Sequence, residues 1–342
     1  MRRSAGLAAS VFLSALSLAG CGHGGVIGSG PLPTPTPVVP SVINEYTVPT
    51  ANAQPAGIVM GRDQFLYFAE QNAGNIGQLS TGGSFKEFSI AGNGGTTGNV
   101  AVDVASGPNT NIWFTERGPA PGIGSMELAG NAITEYPIPG SNPYAIISGP
   151  VLNSLVFTDP GNNAVGQIST GGVYTETPIP TANANPMGLA VLAGDVNHVY
   201  FTEHDASKIG IYNVQTNTVT EIPTLTPNAG PTAIVQGADG ALWFTENNVA
   251  KLGRITSSGS ISEYALTPAT SATALVLGVD NNLYFADPAQ NKFASISGLT
   301  AGSVTEFTIP TASANPNWMT LGPGNLIYMT ETSANKIAQI NY

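Results

Sequence analysis

The chain has 342 residues and a formal net charge of −11, and only 9% of its residues are charged whereas 42% are hydrophobic. This composition, with 41 Gly and 26 Pro, excludes a disordered chain and favours many short strands joined by turns. The excess of acidic residues, without a basic stripe, argues against a nucleic-acid partner, and the one cysteine excludes a disulfide framework.

The N-terminus has the pattern of a bacterial lipoprotein signal. Arg2 and Arg3 precede an apolar segment from about Leu7 to Leu18, which is too short for a permanent transmembrane helix. The LAGC sequence that ends at Cys21 resembles the lipobox, in which the cysteine is lipidated and becomes the new N-terminus. We predict a signal peptide over residues 1–20 and lipidation of Cys21. The alternative is an ordinary signal peptide that happens to end in cysteine.

Residues 21–42 are predicted to be a tether. They are rich in Gly at first and then alternate Pro with Thr, a pattern typical of a flexible segment followed by a polyproline II spacer. Gly22, rather than Asp, follows the cysteine, and by resemblance to Gram-negative lipoproteins this favours the outer membrane. We therefore expect a secreted protein of the bacterial cell envelope that is attached to its membrane through the lipid alone.

A repeated motif begins after residue 43: two aromatic or apolar residues, then Thr or Ala, then a carboxylate. The carboxylates are spaced 46, 43, 44, 43, 41 and 44 residues apart, at Glu70, Glu116, Asp159, Glu203, Glu246, Asp287 and Glu331. Each period holds four strand-like segments, which in the fifth are Thr232–Gln236, Ala241–Thr245, Lys251–Thr256 and Ser260–Leu266. Four strands in about 40–45 residues predict a propeller blade, so the fold class is an all-β, seven-bladed β-propeller over residues 43–342.

The ends of this domain predict how the ring closes. The last period stops at its third strand, Lys336–Asn341, and its missing fourth strand is present at the other end of the domain. The sequence INEYTVP at 43–49 matches ITEYPIP, the fourth strand at 133–139. We predict that the N-terminal strand completes the last blade, because such a clasp leaves no exposed sheet edge.

These repeats resemble those of the streptogramin lyase family, also called the virginiamycin B lyase family. The family repeat has the form LWFTE, NKIGRI and ITEYxIP, and here it stands as LWFTE at 242–246, KLGRI at 251–255 and ISEY at 261–264. The resemblance covers roughly residues 43–342 and implies the propeller fold. It is less specific for activity, because a blade repeat is mostly packing.

The resemblance implies an enzyme that opens a cyclic depsipeptide by elimination at an ester, with Mg²⁺ as cofactor and a His base. The first family His falls on Thr273, with Ala272 in place of the preceding Pro, and the second falls on Asn317. The Glu before the second His falls on Asn315, so only the Glu at the end of the last blade's second strand is matched, by Glu331. Thr and Asn cannot act as a base near neutral pH.

The motif carboxylates are expected to ring one face of the propeller near the channel mouth, where two or three could hold a hard cation. Glu331 is the metal ligand that we predict. The alternative is structural, with backbone hydrogen bonds or ion pairs to third-strand lysines such as Lys208, Lys251, Lys292 and Lys336. A second set on the fourth strands is predicted to be solvated edge charge; it contains Glu45, Glu87, Glu135, Glu176, Glu221, Glu263 and Glu306.

The top face, where the second strands end, is predicted to hold a ligand funnel. Its candidate residues, apolar and aromatic with a few polar groups, are Tyr144, Met187, Thr273, Asn317 and Trp318. The alternative is that these side chains fill the axis by packing. His204 follows Glu203 at this face and is the candidate imidazole base, with a turn residue as the alternative.

The sequence thus favours a monomeric binding or interaction propeller that lacks the catalytic His pair. Its partner would be a small molecule, or a protein or other cell-envelope ligand, at the top face. The alternative is an enzyme, either a Mg²⁺-dependent C–O lyase or another activity on a cyclic ester or related small molecule. The sequence leaves open which of the two applies.

Overall fold

The computed structural model describes residues 42–268, 270–297 and 304–342. The predicted signal peptide, Cys21 and nearly all of the predicted tether lie outside the described residues, so export and lipidation stay predictions. Helical structure within these ranges consists of two short 3₁₀ turns, Ala91–Asn93 and Pro323–Asn325. No helix of the described chain has the length and apolar character needed to cross a membrane.

The predicted all-β, seven-bladed propeller is confirmed: the described strands form seven antiparallel sheets of four strands each. Blade 1 is β2 (Pro55–Met60), β3 (Leu66–Glu70), β4 (Asn75–Leu79) and β5 (Phe85–Ser89). Blade 2 is β6 (Val100–Ser106), β7 (Ile112–Arg117), β8 (Gly122–Met126) and β9 (Ile133–Pro137). Blade 3 is β10 (Ile146–Ser148), β11 (Ser154–Asp159), β12 (Ala164–Ser169) and β13 (Tyr174–Pro178).

The remaining blades repeat this order from the innermost strand outward. Blade 4 is β14 (Pro186–Ala190), β15 (His198–Glu203), β16 (Lys208–Asn213) and β17 (Thr218–Pro223). Blade 5 is β18 (Pro231–Gln236), β19 (Leu242–Glu246), β20 (Lys251–Ile255) and β21 (Ile261–Ala265). Blade 6 is β22 (Leu275–Leu277), β23 (Leu283–Asp287), β24 (Lys292–Ile296) and β25 (Val304–Thr308). Blade 7 is β26 (Pro316–Leu321), β27 (Ile327–Glu331), β28 (Lys336–Asn341) and β1 (Val42–Thr47).

The clasp is confirmed as well. Strand β1 pairs with β28 in antiparallel register from Val42 opposite Asn341 to Thr47 opposite Lys336. Glu45 Oε2 accepts a hydrogen bond from Lys336 Nζ at 2.8 Å, which ties the first strand of the domain to the last. The ring is therefore closed by contacts between residues almost 300 positions apart in sequence.

The second strand of each blade forms the core. In blade 5 every residue of Leu242–Glu246 is buried, and Phe244 packs directly against Gly253 on the neighbouring strand. A Cβ at Gly253 would overlap the Phe244 ring, so the glycine is required by this close approach. The aromatic motif of the sequence is thus a packing motif.

The Thr of the motif joins neighbouring blades at the channel. The innermost strand of blade 4 has a β-bulge between Pro186 and Leu189, where its ladder with β15 is interrupted. Thr202 Oγ1 accepts a hydrogen bond from the Gly188 nitrogen at 2.9 Å and donates one to the Thr232 carbonyl oxygen of blade 5 at 2.7 Å. The Thr202 hydroxyl therefore fixes the innermost strand of blade 4 against the innermost strand of blade 5.

Candidate functional site

A cavity of about 350 Å³ lies on the propeller axis, where the innermost strands of all seven blades meet. Seven apolar residues at one register position line it, and we call them the apolar ring: Ile58, Val104, Ile146, Leu189, Ile234, Leu275 and Met319. Each is paired with the second residue of the motif on the adjacent strand. Every blade contributes one apolar residue at this position, so the apolar ring gives the cavity a uniform apolar wall.

The position just before the apolar ring differs from blade to blade. This position is held by Gly57, Asp103, Ala145, Gly188, Ala233, Ala274 and Trp318 in blades 1 to 7. Five of the seven are glycine or alanine. Asp103 and Trp318 are the exceptions, and the two blades that carry them flank blade 1, where Gly57 has no side chain.

Four of the five predicted funnel residues line this cavity: Tyr144, Thr273, Asn317 and Trp318. The rings of Tyr144 in blade 3 and Trp318 in blade 7 approach to 5.4 Å between centroids, a contact that crosses the channel. Met187 is not part of the cavity wall, although its carbonyl oxygen accepts a hydrogen bond from Thr158 Oγ1 at 2.8 Å.

Asp103 is a cavity residue that the sequence analysis missed. Its side chain is buried, with 7% of the residue exposed, and its Oδ2 atom accepts a hydrogen bond from the Ile146 nitrogen at 3.0 Å. Burial raises the pKa of this carboxyl to about 7. The signal in the sequence was a single acidic residue inside an otherwise apolar strand, VAVDVAS at 100–106.

Asp103 and Tyr144 are held together by Thr115. The Asp103 nitrogen donates to Thr115 Oγ1 at 3.0 Å, and Thr115 Oγ1 donates to the Tyr144 carbonyl oxygen at 3.1 Å. Burial, with a smaller contribution from Asp103, raises the pKa of Tyr144 to about 12. Arg117 places its Cζ atom 5.8 Å from the centroid of the Tyr144 ring, and burial lowers the pKa of Arg117.

The motif carboxylates do not ring the channel mouth as expected. Each is buried within its blade, and none belongs to the cavity wall. The carboxyl of Glu203, for example, faces Glu221 on the fourth strand of the same blade, and burial raises the pKa of Glu203 to about 8. The expectation failed because the direction of a side chain at a strand end depends on the neighbouring strands, which the repeat alone does not reveal.

The fourth-strand carboxylates are likewise not solvated edge charges. Glu221 accepts hydrogen bonds from the Thr181 nitrogen at 2.9 Å, from Thr181 Oγ1 at 3.0 Å and from Lys208 Nζ at 2.9 Å. Burial acts to raise the pKa of Glu221, but these hydrogen bonds outweigh it and lower the pKa. The third-strand lysines therefore form their ion pairs with this set, and the alternative that pairs them with the motif carboxylates is wrong. The other structural alternative, backbone hydrogen bonds, is found at Asp159, which accepts from the Asn142 and Gly161 nitrogens at 2.8 Å.

Glu331, the predicted metal ligand, is fully buried, and within the described chain neither of its carboxylate oxygens has a hydrogen bond of ordinary geometry. It faces Glu45, which is already bonded to Lys336. Within the part of the chain that the structure describes, no three His, Cys, Asp or Glu side chains are arranged to hold a metal ion. Thr273, Asn317 and Asn315 stand where the family has two His and a Glu, so of these four family positions only Glu331 keeps a side chain of the family type. The assignment of Glu331 stays a prediction.

His204 lies outside the cavity wall. Its Nδ1 atom is 2.6 Å from Asp205 Oδ1, at the end of the second strand of blade 4. The geometry does not bring His204 together with the funnel residues, and its role as a base stays a prediction.

The chain is similar to known proteins in both sequence and structure. The sequence profile of the Virginiamycin B lyase family matches residues 39–210 and 190–342. No curated protein matches the chain. Among solved structures, selenomethionine-substituted virginiamycin B lyase from Staphylococcus aureus is 27% identical with a TM-score of 0.80, covering 88% of this chain and 99% of its own.

Two further structures give the same result. A streptogramin B lyase is 29% identical with a TM-score of 0.79, covering 88% of this chain and 97% of its own. A catalytically inactive variant of the Staphylococcus aureus virginiamycin B lyase, solved with quinupristin, is 27% identical with a TM-score of 0.80 and covers 88% and 99%.

Proposed function

Because this chain belongs to the virginiamycin B lyase family, we propose that it is a ligand-binding propeller that lacks the family's catalytic His pair. The observation that carries the proposal is the cavity on the axis. It has the volume and the mostly apolar wall of a small-molecule site, with a few polar groups from Asp103, Thr273 and Asn317. The Tyr144–Trp318 pair offers a small ligand aromatic surface.

The polar groups of this wall suit recognition better than proton abstraction. The hydroxyl of Thr273 and the carboxamide of Asn317 donate and accept hydrogen bonds, but neither accepts a proton near neutral pH. Both stand where the family resemblance expects histidine. The cavity therefore has groups that can orient a ligand, but it lacks the His pair to which the family resemblance assigns proton removal.

Filling the cavity tests the binding proposal. We would measure binding of a set of aromatic and aliphatic fragments by ligand-observed NMR, using the wild type, Ala233→Trp and Leu152→Trp. Ala233 belongs to the cavity wall, whereas Leu152 is 83% exposed and serves as the matched control. Fragments are expected to bind the wild type and Leu152→Trp but not Ala233→Trp. Binding that survives Ala233→Trp, or no binding at all, would contradict the proposal.

One observation favours the alternative, an enzyme with a rearranged site. Asp103 reaches the cavity with a pKa of about 7, a range suited to a general base. The test is incubation with quinupristin and Mg²⁺. Elimination would give an isomer of unchanged mass, detected by chromatography and fragmentation, whereas hydrolysis would add the mass of one water. We expect neither product. Ring opening that is lost in Glu331→Gln or Asp103→Asn would establish the enzyme instead.

We further propose that the chain is exported and anchored through Cys21, which would place the propeller at the cell envelope. The sequence features that support this are the LAGC motif and the Pro-Thr tether. Expression in a Gram-negative host with labelled palmitate is expected to label the wild type in the membrane fraction. Cys21→Ser is expected to remain unlabelled. Label on Cys21→Ser, or an unlabelled wild type, would contradict the anchor.

A further inference from the structure

We propose that the axial cavity binds an organic cation, a small aromatic or aliphatic amine whose charged group is recognised by Asp103. This inference rests on the proposed binding function and specifies the chemistry of the ligand. Asp103 is the carboxylate of the cavity wall, and none of the ion pairs in the described chain includes it. A buried carboxylate without a cationic partner is costly, and a bound ammonium group would compensate it.

The repeat shows that this carboxylate is not needed by the fold. The equivalent residues of the six other blades are Gly57, Ala145, Gly188, Ala233, Ala274 and Trp318, and blades 1, 4, 5 and 7 form the same β-bulge as blade 2 without a carboxylate there. The backbone hydrogen bond made by the Asp103 nitrogen to Thr115 Oγ1 is made equally by the nitrogen of Ala233 to Thr245 Oγ1. The repeat does not require the Asp103 carboxylate, and this side chain lines the cavity. Both observations favour a role for Asp103 in binding a ligand.

Gly57 lets the Asp103 carboxylate pack closely against blade 1. A Cβ at Gly57 would overlap Asp103 Oδ1, so a larger residue at this position would displace the carboxylate. Trp318 lies on the other side of blade 1, and its indole ring belongs to the same cavity. A cation held over an aromatic ring gains further stabilisation, so the carboxylate and the aromatic pair favour the same kind of ligand.

Arg117 does not neutralise Asp103. Its guanidinium lies against the Tyr144 ring, and the acidic group that acts on it is Asp159 rather than Asp103. The hydrogen bond that Asp103 accepts from the Ile146 nitrogen occupies Oδ2 and orients the carboxyl group. Asp103 is therefore positioned by neutral groups of the backbone, and its charge remains available to the cavity.

The test uses probes that share one shape and differ in charge: tryptamine, the neutral alcohol tryptophol and the anion indole-3-propionate. Calorimetry at pH 8 with the propeller chain is expected to rank tryptamine about tenfold or more above tryptophol, with indole-3-propionate weakest. Asp103→Asn preserves the shape and an acceptor for the Ile146 nitrogen. It is expected to bring tryptamine down to the affinity of tryptophol and to leave tryptophol within about twofold. Asp205→Asn, which removes an exposed carboxylate, is the matched control and is expected to keep the tryptamine preference.

The outcomes separate this inference from the proposed function. If tryptamine and tryptophol bind equally to the wild type, and both are lost in Ala233→Trp, the cavity is a binding site and the cation inference is overturned. The cation inference is also overturned if Asp103→Asn retains the preference for tryptamine. If neither indole binds, and a smaller pair, benzylamine and benzyl alcohol, also fails to bind, then the proposed function falls as well.

Discussion

The ring of Tyr144 lies 5.4 Å from the ring of Trp318, centroid to centroid, although the two residues belong to blades 3 and 7, which are not neighbours. The contact therefore crosses the channel, and the two rings together narrow it. Because both rings line the cavity, a ligand that enters it must contact this pair or displace it. The pair is therefore a natural reporter of binding.

Trp318 fluorescence is expected to report occupancy of the cavity. The chain has three Trp, and the other two, Trp113 and Trp243, are buried in the core as motif residues. Benzylamine, which does not emit in the Trp range, should change the emission of the wild type and of Trp243→Phe, but not that of Trp318→Phe. A change that persists in Trp318→Phe would show that the ligand binds away from the aromatic pair.

The affinity for amines is expected to rise with pH. Burial raises the pKa of Asp103 to about 7, so the free protein carries more carboxylate as the pH increases from 6 to 8. Tryptamine stays protonated in this range because the pKa of an alkyl amine is near 10. Three titratable groups lie near Asp103, and none of them changes charge at the cavity between pH 6 and pH 8. The pKa of Tyr144 is about 12, and the Arg117 guanidinium stays protonated. The carboxyl of Glu116 faces Asn99 and Glu135 rather than the cavity.

Calorimetry should therefore show tryptamine binding more tightly at pH 8 than at pH 6, whereas the affinity for tryptophol changes little. Equal tryptamine affinity at the two pH values would contradict the prediction.

Removing one bridging hydroxyl is expected to destabilise the junction between two blades. Thr202→Val has nearly the same shape, but it leaves the Gly188 nitrogen and the Thr232 carbonyl oxygen without their hydrogen bonds. The expected loss in the free energy of unfolding is about 1–3 kcal/mol. Denaturant unfolding would measure it, with Thr216→Val, an exposed threonine on a turn of the same blade, as the control. Equal stability of the two variants would contradict a bridging role.

The sequence could predict the fold because every blade repeats the same packing residues. The clasp was predictable too, since β1 has the sequence of a fourth strand. Four predicted funnel residues line the cavity because they lie in or just before the innermost strands, whose positions follow from the motif. Asp103 was missed because a single acid in one copy of a repeat looks like ordinary variation until the other copies are aligned in space. The carboxylates were misplaced because their partners come from loops and from the fourth strand.

Stability is expected to fall as the pH rises above about 5. Burial raises the pKa values of Glu203, Glu246 and Glu331 to about 8, so the folded state binds protons that the unfolded state has released. The stabilisation is fully present below the ordinary pKa of 4.5 and is lost as the pH rises through about 8. Each pKa unit corresponds to about 1.4 kcal/mol for each group. Thermal melts from pH 5 to pH 9 should show a decreasing Tm and a smaller decrease in Glu331→Gln.

Glu45, which faces Glu331, is the control for this pH dependence because its pKa shifts in the opposite direction. Although burial opposes the shift, the hydrogen bonds from Lys336 and Thr311 lower the pKa of Glu45, so its contribution is present above pH 4.5 and is lost on acidification. Glu45→Gln should therefore destabilise the protein at neutral pH, where Glu331→Gln does not. A Tm that rises between pH 5 and pH 9 in the wild type would contradict this assignment of the two carboxylates.

Removing the clasp is expected to prevent closure of the ring. A chain that starts at Thr50 lacks β1, so β28 becomes an unpaired edge and Thr311 loses hydrogen bonds of 2.9 and 2.7 Å to Glu45. A chain that starts at Ser41 keeps the clasp and is the control. Size-exclusion chromatography with light scattering should find the control monomeric and the shorter chain aggregated or unfolded. A synthetic peptide of residues 41–50, added during refolding, should restore a soluble monomer, and the same peptide with Glu45→Gln should restore less. A monomeric shorter chain with an unchanged Tm would show that blade 7 is stable without its fourth strand.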